Sequence, residues 1–161
     1  MTPPRRRVIL LTLTASVGIF VLTSTLANVA LPQIQGAFAA TQDQITWIVT
    51  SNLLAMAVAT PMTGWLDGRF GRRRVMLCAS GGFIVASILC GLATSLEELV
   101  ILRAFQGFSG APLLPLSQAI IISIYPREQH AKVLVLWSMG VTISSIFAPL
   151  VGGYMSEDYS W

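Results

Sequence analysis

The sequence predicts an all-α membrane protein with five transmembrane helices. Its 161 residues are 54% apolar and 11% charged, whereas soluble domains carry about 25% charged residues. Charged residues divide the chain into five apolar segments, each long enough to cross about 30 Å of hydrocarbon as a helix. A helix satisfies its own backbone hydrogen bonds, as lipid requires. The predicted spans are residues 8–31, 45–66, 75–93, 99–125 and 133–155.

Basic residues predict the orientation of these spans. Nine of the ten Lys and Arg residues lie before span one, between spans two and three, or between spans four and five. Loops rich in Lys and Arg stay in the cytoplasm, so these segments define the cytoplasmic face. The opposite face carries five of the seven acids and no basic residue. We therefore expect a cytoplasmic N-terminus, an external C-terminus and a multi-pass protein whose first partner is the lipid bilayer.

Composition and spacing argue against several other classes of protein. Nucleic-acid binding needs basic residues on one solvated face, and here they form short clusters between apolar segments. Cys78 and Cys90 would lie about 18 Å apart along a helix, too far for a disulfide. No cluster of residues has metal-ligand spacing, and no serine lies in a nucleophile elbow. We expect no enzyme activity, catalytic residue, metal or cofactor, and we expect His130 to be a solvated loop residue.

Three of the spans have a recognisable signal at or near their start. The first apolar segment has 24 residues, more than the about 7 to 15 of a cleavable signal peptide, so it is predicted to remain as a span. The stretches Thr41–Gln44 and Ser95–Glu98 have the spacing of a capping box. They predict that spans two and four begin there.

Three polar residues inside the spans are not explained by apolarity. Arg103 lies about five residues inside span four. An intramembrane charge is a functional candidate by default, although its side chain could instead reach the interface as an anchor. Gln106, at i+3, is expected on the same side of the helix. Asn28, near the outer end of span one, is a weaker candidate, and the sequence favours an interhelical hydrogen bond as its role.

Glycines mark two further patterns. Residues 67–74 are expected to form a loop that reverses the chain, with Gly68 and Gly71 supplying positive φ angles; the alternative is that its arginines are only a topology signal. Span five carries a small residue at every fourth position, which lets another helix approach closely. This seam is either a static packing face or an interface that slides or bends, with a proline kink. Its residues are Gly140, Ser144, Ala148 and Gly152, with Pro149 and Gly153 beside them.

These patterns together resemble the major facilitator superfamily, and within it the drug:proton antiporters of the fourteen-span EmrB/QacA type. The segment 64–73 resembles the signature between spans two and three, and 99–111, with Arg103 and Gln106, is similar to the span-four motif. Residues 144–153 resemble the span-five motif of exporters. Residues 22–32, with Asn28, resemble the span-one motif of drug exporters. The resemblance touches every span but the third.

The resemblance implies that the five spans form most of the amino-terminal six-helix bundle of a major facilitator fold. Such proteins have twelve or fourteen spans, so we expect an amino-terminal fragment that packs against the remaining spans of a parent transporter. Its end, Tyr159–Trp161, is where relatives enter span six. The resemblance assigns Arg103, Gln106 and Asn28 to the transport pathway and the span-five seam to the interface between bundles. It assigns a cytoplasmic gating loop to Gly64, Asp67, Gly68, Arg69, Gly71, Arg72 and Arg73.

The function that the resemblance implies is proton-coupled export of drugs or other amphipathic small molecules across a bacterial inner membrane. The sequence departs from the family pattern where Gly68 replaces the usual acid and Asp67 comes one residue early. Thr23 stands where many relatives have a carboxylate. None of the predicted spans contains Asp or Glu, so a proton-carrying carboxylate must come from elsewhere. The alternatives are nutrient uptake by a facilitator and a five-span interaction protein that does not transport.

Overall fold

The computed structural model describes residues 3–38 and 40–158, with side chains for 5–36, 38 and 40–150. The expected start of a further span at Tyr159–Trp161 lies outside the described residues. The described chain is helical throughout. Its elements are α1 (Pro3–Val29), α2 (Leu31–Ala37), α3 (Gln42–Phe70), α4 (Arg72–Gly91), α5 (Leu96–Gly110), α6 (Leu113–Ile124), a 3₁₀ turn (Arg127–Gln129) and α7 (His130–Asp158).

The described part of the chain has five spans, which confirms the predicted fold class. They are α1, α3, α4, α5 together with α6, and α7, each long and apolar enough to cross a membrane. Large apolar side chains on every span remain exposed, including Leu11, Val58, Ile88, Ile101 and Leu150. Such exposure suits lipid, because the lipid tails are as apolar as these side chains.

The two predicted helix starts are confirmed. The Thr41 hydroxyl accepts from the Gln44 N–H at 3.4 Å, and the Gln44 side chain accepts from the Thr41 N–H at 3.0 Å. At the other start, Ser95 accepts from the Glu98 N–H at 3.2 Å. The Glu98 carboxylate accepts instead from the Thr94 N–H at 3.0 Å, so this second box is closed one residue earlier than predicted.

The predicted loop at residues 67–74 is wrong. Helix α3 continues through Phe70, α4 begins at Arg72, and Gly71 alone separates them. Gly71 has φ +82° and is the one glycine with positive φ among the described residues, so Gly68 supplies no turn. The Gly71 N–H donates to the Asp67 carbonyl at 3.0 Å. This bond closes the last turn of α3, and one residue of left-handed backbone is enough to reverse the chain.

Span four is interrupted, and span one ends at Val29 and is followed by a short separate helix; neither feature was predicted from the sequence. Helix α5 ends at Gly110 and α6 begins at Leu113. Pro112 and Pro115 lie at this break, and each lacks the N–H that would continue the helical ladder. In the first span, α1 ends at Val29 and the short helix α2 begins at Leu31, with Pro32 in its first turn. In both places a proline ends a hydrogen-bond ladder that apolar composition alone would extend.

The spans pack in pairs around two apolar clusters. Helix α1 lies along α7, α3 lies along α5, and α4 packs against α5. The larger cluster joins α1, α4, α6 and α7, and its rings Phe20 and Phe83 meet edge to face at 5.3 Å between centroids. A Cβ at Gly110 would contact the Phe20 ring, so this glycine lets spans one and four approach. Cys78 and Cys90 are both free, as predicted.

Candidate functional site

Arg103 begins a chain of hydrogen bonds that crosses from span four to span three. Its Nη1 donates to Gln106 Oε1 at 2.9 Å, so the two side chains lie on one side of α5. Gln106 Nε2 donates to Ser87 Oγ at 2.8 Å, and the Ser87 hydroxyl donates to the Phe83 carbonyl at 2.8 Å. Gln106 is buried. These hydrogen bonds through Gln106 and Ser87 therefore fix the orientation of the Arg103 guanidinium.

Span two holds the backbone beside Arg103. Asn52 Nδ2 donates to the Arg103 carbonyl at 2.9 Å, and the Ser51 hydroxyl donates to the Val100 carbonyl at 3.1 Å. A Cβ at Gly107 would contact the Asn52 carbonyl oxygen, so only glycine permits this approach. Helices α3 and α5 are thus joined by two side-chain hydrogen bonds, a kind of contact that holds helices together in lipid.

A cavity of about 280 Å³ lies in front of Arg103. Spans one, two and four line it, and most of its lining is apolar, with Phe20, Val21 and Met56 among the contributors. The polar side chains that face it are Ser24, Thr25, Asn28, Asn52 and Arg103. The cavity can therefore contact a molecule that is apolar over most of its surface and polar at one end.

One hydrogen-bond donor of the Arg103 guanidinium is unused. Arg103 Nε is buried and has no hydrogen-bond partner among the described residues. The ion pair found in the described part of the chain joins Arg72 to Asp67, so no described carboxylate pairs with Arg103. A buried guanidinium favours an anionic or hydrogen-bond-accepting partner.

Within the described part of the chain, Asn28 does not make the interhelical hydrogen bond expected of it from the sequence. Its side chain is exposed at the cavity, and no interhelical hydrogen bond from it is found within residues 5–36, 38 and 40–150. Besides Gln106, an amide that bridges helices is Asn52, which was not among the residues predicted from the sequence. An amide inside a span, the same signal that marked Asn28, would have found it.

The reversal at Gly71 is tied to span four. Arg72 Nε donates to Asp67 Oδ2 at 3.2 Å, and Arg72 Nη1 donates to the Ala119 carbonyl on α6 at 3.1 Å. The Arg69 guanidinium lies 5.9 Å from the centre of the Trp65 ring. Gly64 and Gly68 lie within α3, and Arg73 is exposed in the first turn of α4. Asp67, one residue early in the motif, thus still pairs with an arginine of the same segment.

The span-five seam contacts span one. A Cβ at Gly140 would contact Thr14 Cγ2, and a Cβ at Gly18 would lie 2.5 Å from Ser144 Oγ. Ala148 is fully buried. Pro149, Gly152 and Gly153 lie within α7. At Gly140 and Ser144 the close approach is therefore to a helix of the same bundle, and contact with a second bundle stays a prediction.

His130 is not a free loop residue, so that expectation is wrong. It begins α7, is half-buried, and its Nε2 lies 2.8 Å from the Tyr125 carbonyl. Since a carbonyl only accepts, His130 donates here and helps to close the turn between spans four and five.

The family follows from a direct comparison. Residues 13–161 match the model of the Major Facilitator Superfamily. The chain belongs to this superfamily. It is accordingly a multi-pass membrane protein of a transporter family, and not an enzyme.

Several proteins are similar to this major facilitator chain. It is 45% identical over 155 residues to the Multidrug export protein EmrB of Haemophilus influenzae, covering 95% of this chain and 30% of that protein. It is 40% identical over 163 residues to the Fatty acid resistance protein FarB of Neisseria gonorrhoeae, covering 99% and 32%. The chain therefore spans about a third of the length of these relatives.

A solved structure shares the same helical arrangement. A bacterial homologue of the human lysosomal transporter Spinster, in an inward-facing and unoccupied conformation, superposes with a TM-score of 0.84 and 26% identity. The match covers 96% of this chain and 33% of that one. The pairing of spans described above is thus a major facilitator arrangement.

Proposed function

We propose that the protein carrying this chain exports amphipathic small molecules by alternating access, with protons as the coupling ion. The observation that carries the proposal is the cavity at Arg103, which combines an apolar lining with one guanidinium whose Nε is unpaired. The names of the relatives, multidrug export and fatty acid resistance, support amphipathic substrates. A bacterial inner membrane is the proposed location.

Each part of the cavity has a proposed task. Phe20, Val21 and Met56 contact the apolar part of the substrate, while Arg103 and Asn28 contact its polar end. Gln106 is a positioning residue, because it holds the Arg103 guanidinium through a 2.9 Å hydrogen bond. The Arg103 guanidinium forms no ion pair with a carboxylate among the described residues. The carboxylate that carries the proton therefore belongs to the remaining spans of the transporter.

The turn at Gly71 and the span-five seam have proposed conformational roles. Arg72 joins the end of span two to the cytoplasmic half of span four through Asp67 and Ala119. We expect these Arg72 hydrogen bonds to be present when the transporter is closed at the cytoplasmic face. We expect them to break when that face opens during the transport cycle. Pro149, which lies beside the seam and is exposed, is proposed to face the second bundle, with α7 bending there.

Dye efflux from cells that express the full-length protein tests the role of Arg103. Arg103→Ala removes a charge-assisted hydrogen-bonding group, and we expect efflux to fall about 10- to 100-fold. Arg103→Lys keeps the charge but not the planar fork, so partial efflux is expected. Arg127→Gln, an exposed arginine outside the cavity and outside the gating segment, is the matched control. Unchanged, proton-dependent efflux in Arg103→Ala would reject the proposed pathway.

A second candidate is uptake by a facilitator, which the absence of Asp and Glu from the predicted spans favours. Everted vesicles separate the two functions. Export predicts dye accumulation in everted vesicles that stops when the proton gradient is dissipated. A facilitator predicts equilibration with no gradient.

A further inference from the structure

A second cavity lies on the opposite side of span four from the Arg103 cavity. It is a groove of about 470 Å³ between α3, α4 and α5, and the two cavities share no lining residue. Its walls include Leu66 and Phe70 of α3 and Phe105 and Phe108 of α5. These phenylalanines are 49%, 48% and 41% exposed. The groove is therefore an apolar surface of the bundle, open to its surroundings.

The groove extends from the cytoplasmic end of span three into the membrane. Arg74 lies at one end and Gly82 lies eight residues further along α4, a distance of about 12 Å along the helix. One leaflet of hydrocarbon is about 15 Å deep. Ala79 and Gly82 form part of its lining and carry little side-chain bulk. The groove thus has the depth and the narrow apolar lining that an extended acyl chain requires.

The positive charge at its mouth has no protein partner. Arg74 is exposed, and no hydrogen bond or ion pair of its side chain is found among the described residues. The nearby carboxylate, Asp67, is held by Arg72 at 3.2 Å. Arg69 lies over the Trp65 ring. An unneutralised guanidinium at the level of the lipid headgroups attracts an anion there.

We propose that this groove binds one anionic phospholipid of the cytoplasmic leaflet. Its phosphate pairs with Arg74, and one acyl chain lies in the groove past Ala79 towards Gly82. Basic pockets between helices at the cytoplasmic side suit acidic headgroups, and the apolar groove makes the site selective for a lipid over a free anion. A further protein helix could fill the apolar part, but it would also need an acidic residue at the level of Arg74 to supply the counter-charge. The site is separate from the export cavity. Of the proposals above, the lipid site depends only on the orientation of the spans.

Photo-crosslinking in lipid nanodiscs tests the site. The full-length protein is reconstituted in phosphatidylcholine with a small share of either phosphatidylglycerol or phosphatidylcholine that carries a diazirine on one acyl chain. We expect crosslinks within residues 75–82 and 105–112, several-fold more with the phosphatidylglycerol probe. Arg74→Gln should reduce that yield about five-fold, the effect of one basic group at a membrane surface. Arg73→Gln changes the same charge on an adjacent, exposed arginine that does not line the groove, so its yield should stay near the wild-type value.

A second variant examines the apolar part. Cys78 is exposed in the groove, and Cys78→Trp should fill it and remove crosslinks from both probes without lowering the melting temperature. Equal crosslinking by the two probes would overturn the proposal, as would equal losses in the Arg73 and Arg74 variants. Absence of crosslinks from both probes would show that another span covers the groove, which also overturns it. Each result is independent of efflux by Arg103 variants.

Discussion

Single residues with an unusual backbone or an unused donor carry most of the functional information in this chain. Arg103 is held by Gln106 on its own helix and by Asn52 through the backbone, yet its Nε remains unpaired. Gly71 is a second example, because it alone reverses the chain between spans two and three. Both residues lie in segments that resemble family motifs.

The two glycines near the turn between spans two and three should respond to alanine in opposite directions. Gly71 has φ +82°, where a Cβ is strained, so Gly71→Ala should destabilise the protein by about 1–3 kcal/mol. Gly68 is helical, and a Cβ there would meet nothing within 4 Å. Gly68→Ala should therefore be neutral or stabilising by up to about 1 kcal/mol. Thermal melting of the detergent-solubilised protein measures both. A lower melting temperature for Gly68→Ala than for Gly71→Ala would contradict this interpretation of the turn.

At the level of elements, the spans are joined where one helix carries a small residue and its neighbour a hydroxyl or amide. Gly140 meets Thr14, Gly18 meets Ser144, and Gly107 meets Asn52. Without a hydrophobic driving force between helices in lipid, such close approaches provide the packing energy. The break in span four at 110–113 lies next to Phe20, which lines the Arg103 cavity, and Pro112 at the same break lines the second cavity.

The contact between α1 and α7 can be tested with a compensating pair. Gly140→Ala places a methyl group against Thr14 Cγ2, and we expect a loss of about 1–3 kcal/mol from overpacking. Thr14→Ser removes that methyl and keeps the hydroxyl that donates to the Leu10 carbonyl at 2.8 Å. The double variant should therefore recover most of the lost melting temperature. Gly81→Ala, where a Cβ would meet nothing within 4 Å, is the control. Purely additive losses would show that the two residues are not in contact.

For the whole molecule, the distribution of basic residues predicts the orientation, and two glutamates allow a matched test. Glu97 precedes span four on the predicted external face, whereas Glu128 follows it on the predicted cytoplasmic face, and both are exposed. In a background with Ser at Cys78 and Cys90, a membrane-impermeant maleimide should label Glu97→Cys in intact cells. It should label Glu128→Cys only after permeabilisation. The reverse pattern would invert the topology and displace the proposed lipid site from the cytoplasmic leaflet.

The sequence by itself determined the five spans, the starts of α3 and α5, and the placement of Gln106 beside Arg103. These features depend on composition and on spacing along one helix, where the geometry is fixed by 3.6 residues per turn. Its motifs also predicted the superfamily that the comparison confirmed. The tertiary structure decided which helices meet: Asn52 and Ser87 join the Arg103 site from other spans, and α1 occupies the Gly140 side of the seam. Contacts between spans depend on the rotation, tilt and depth of each helix, which packing sets and apolar length leaves free.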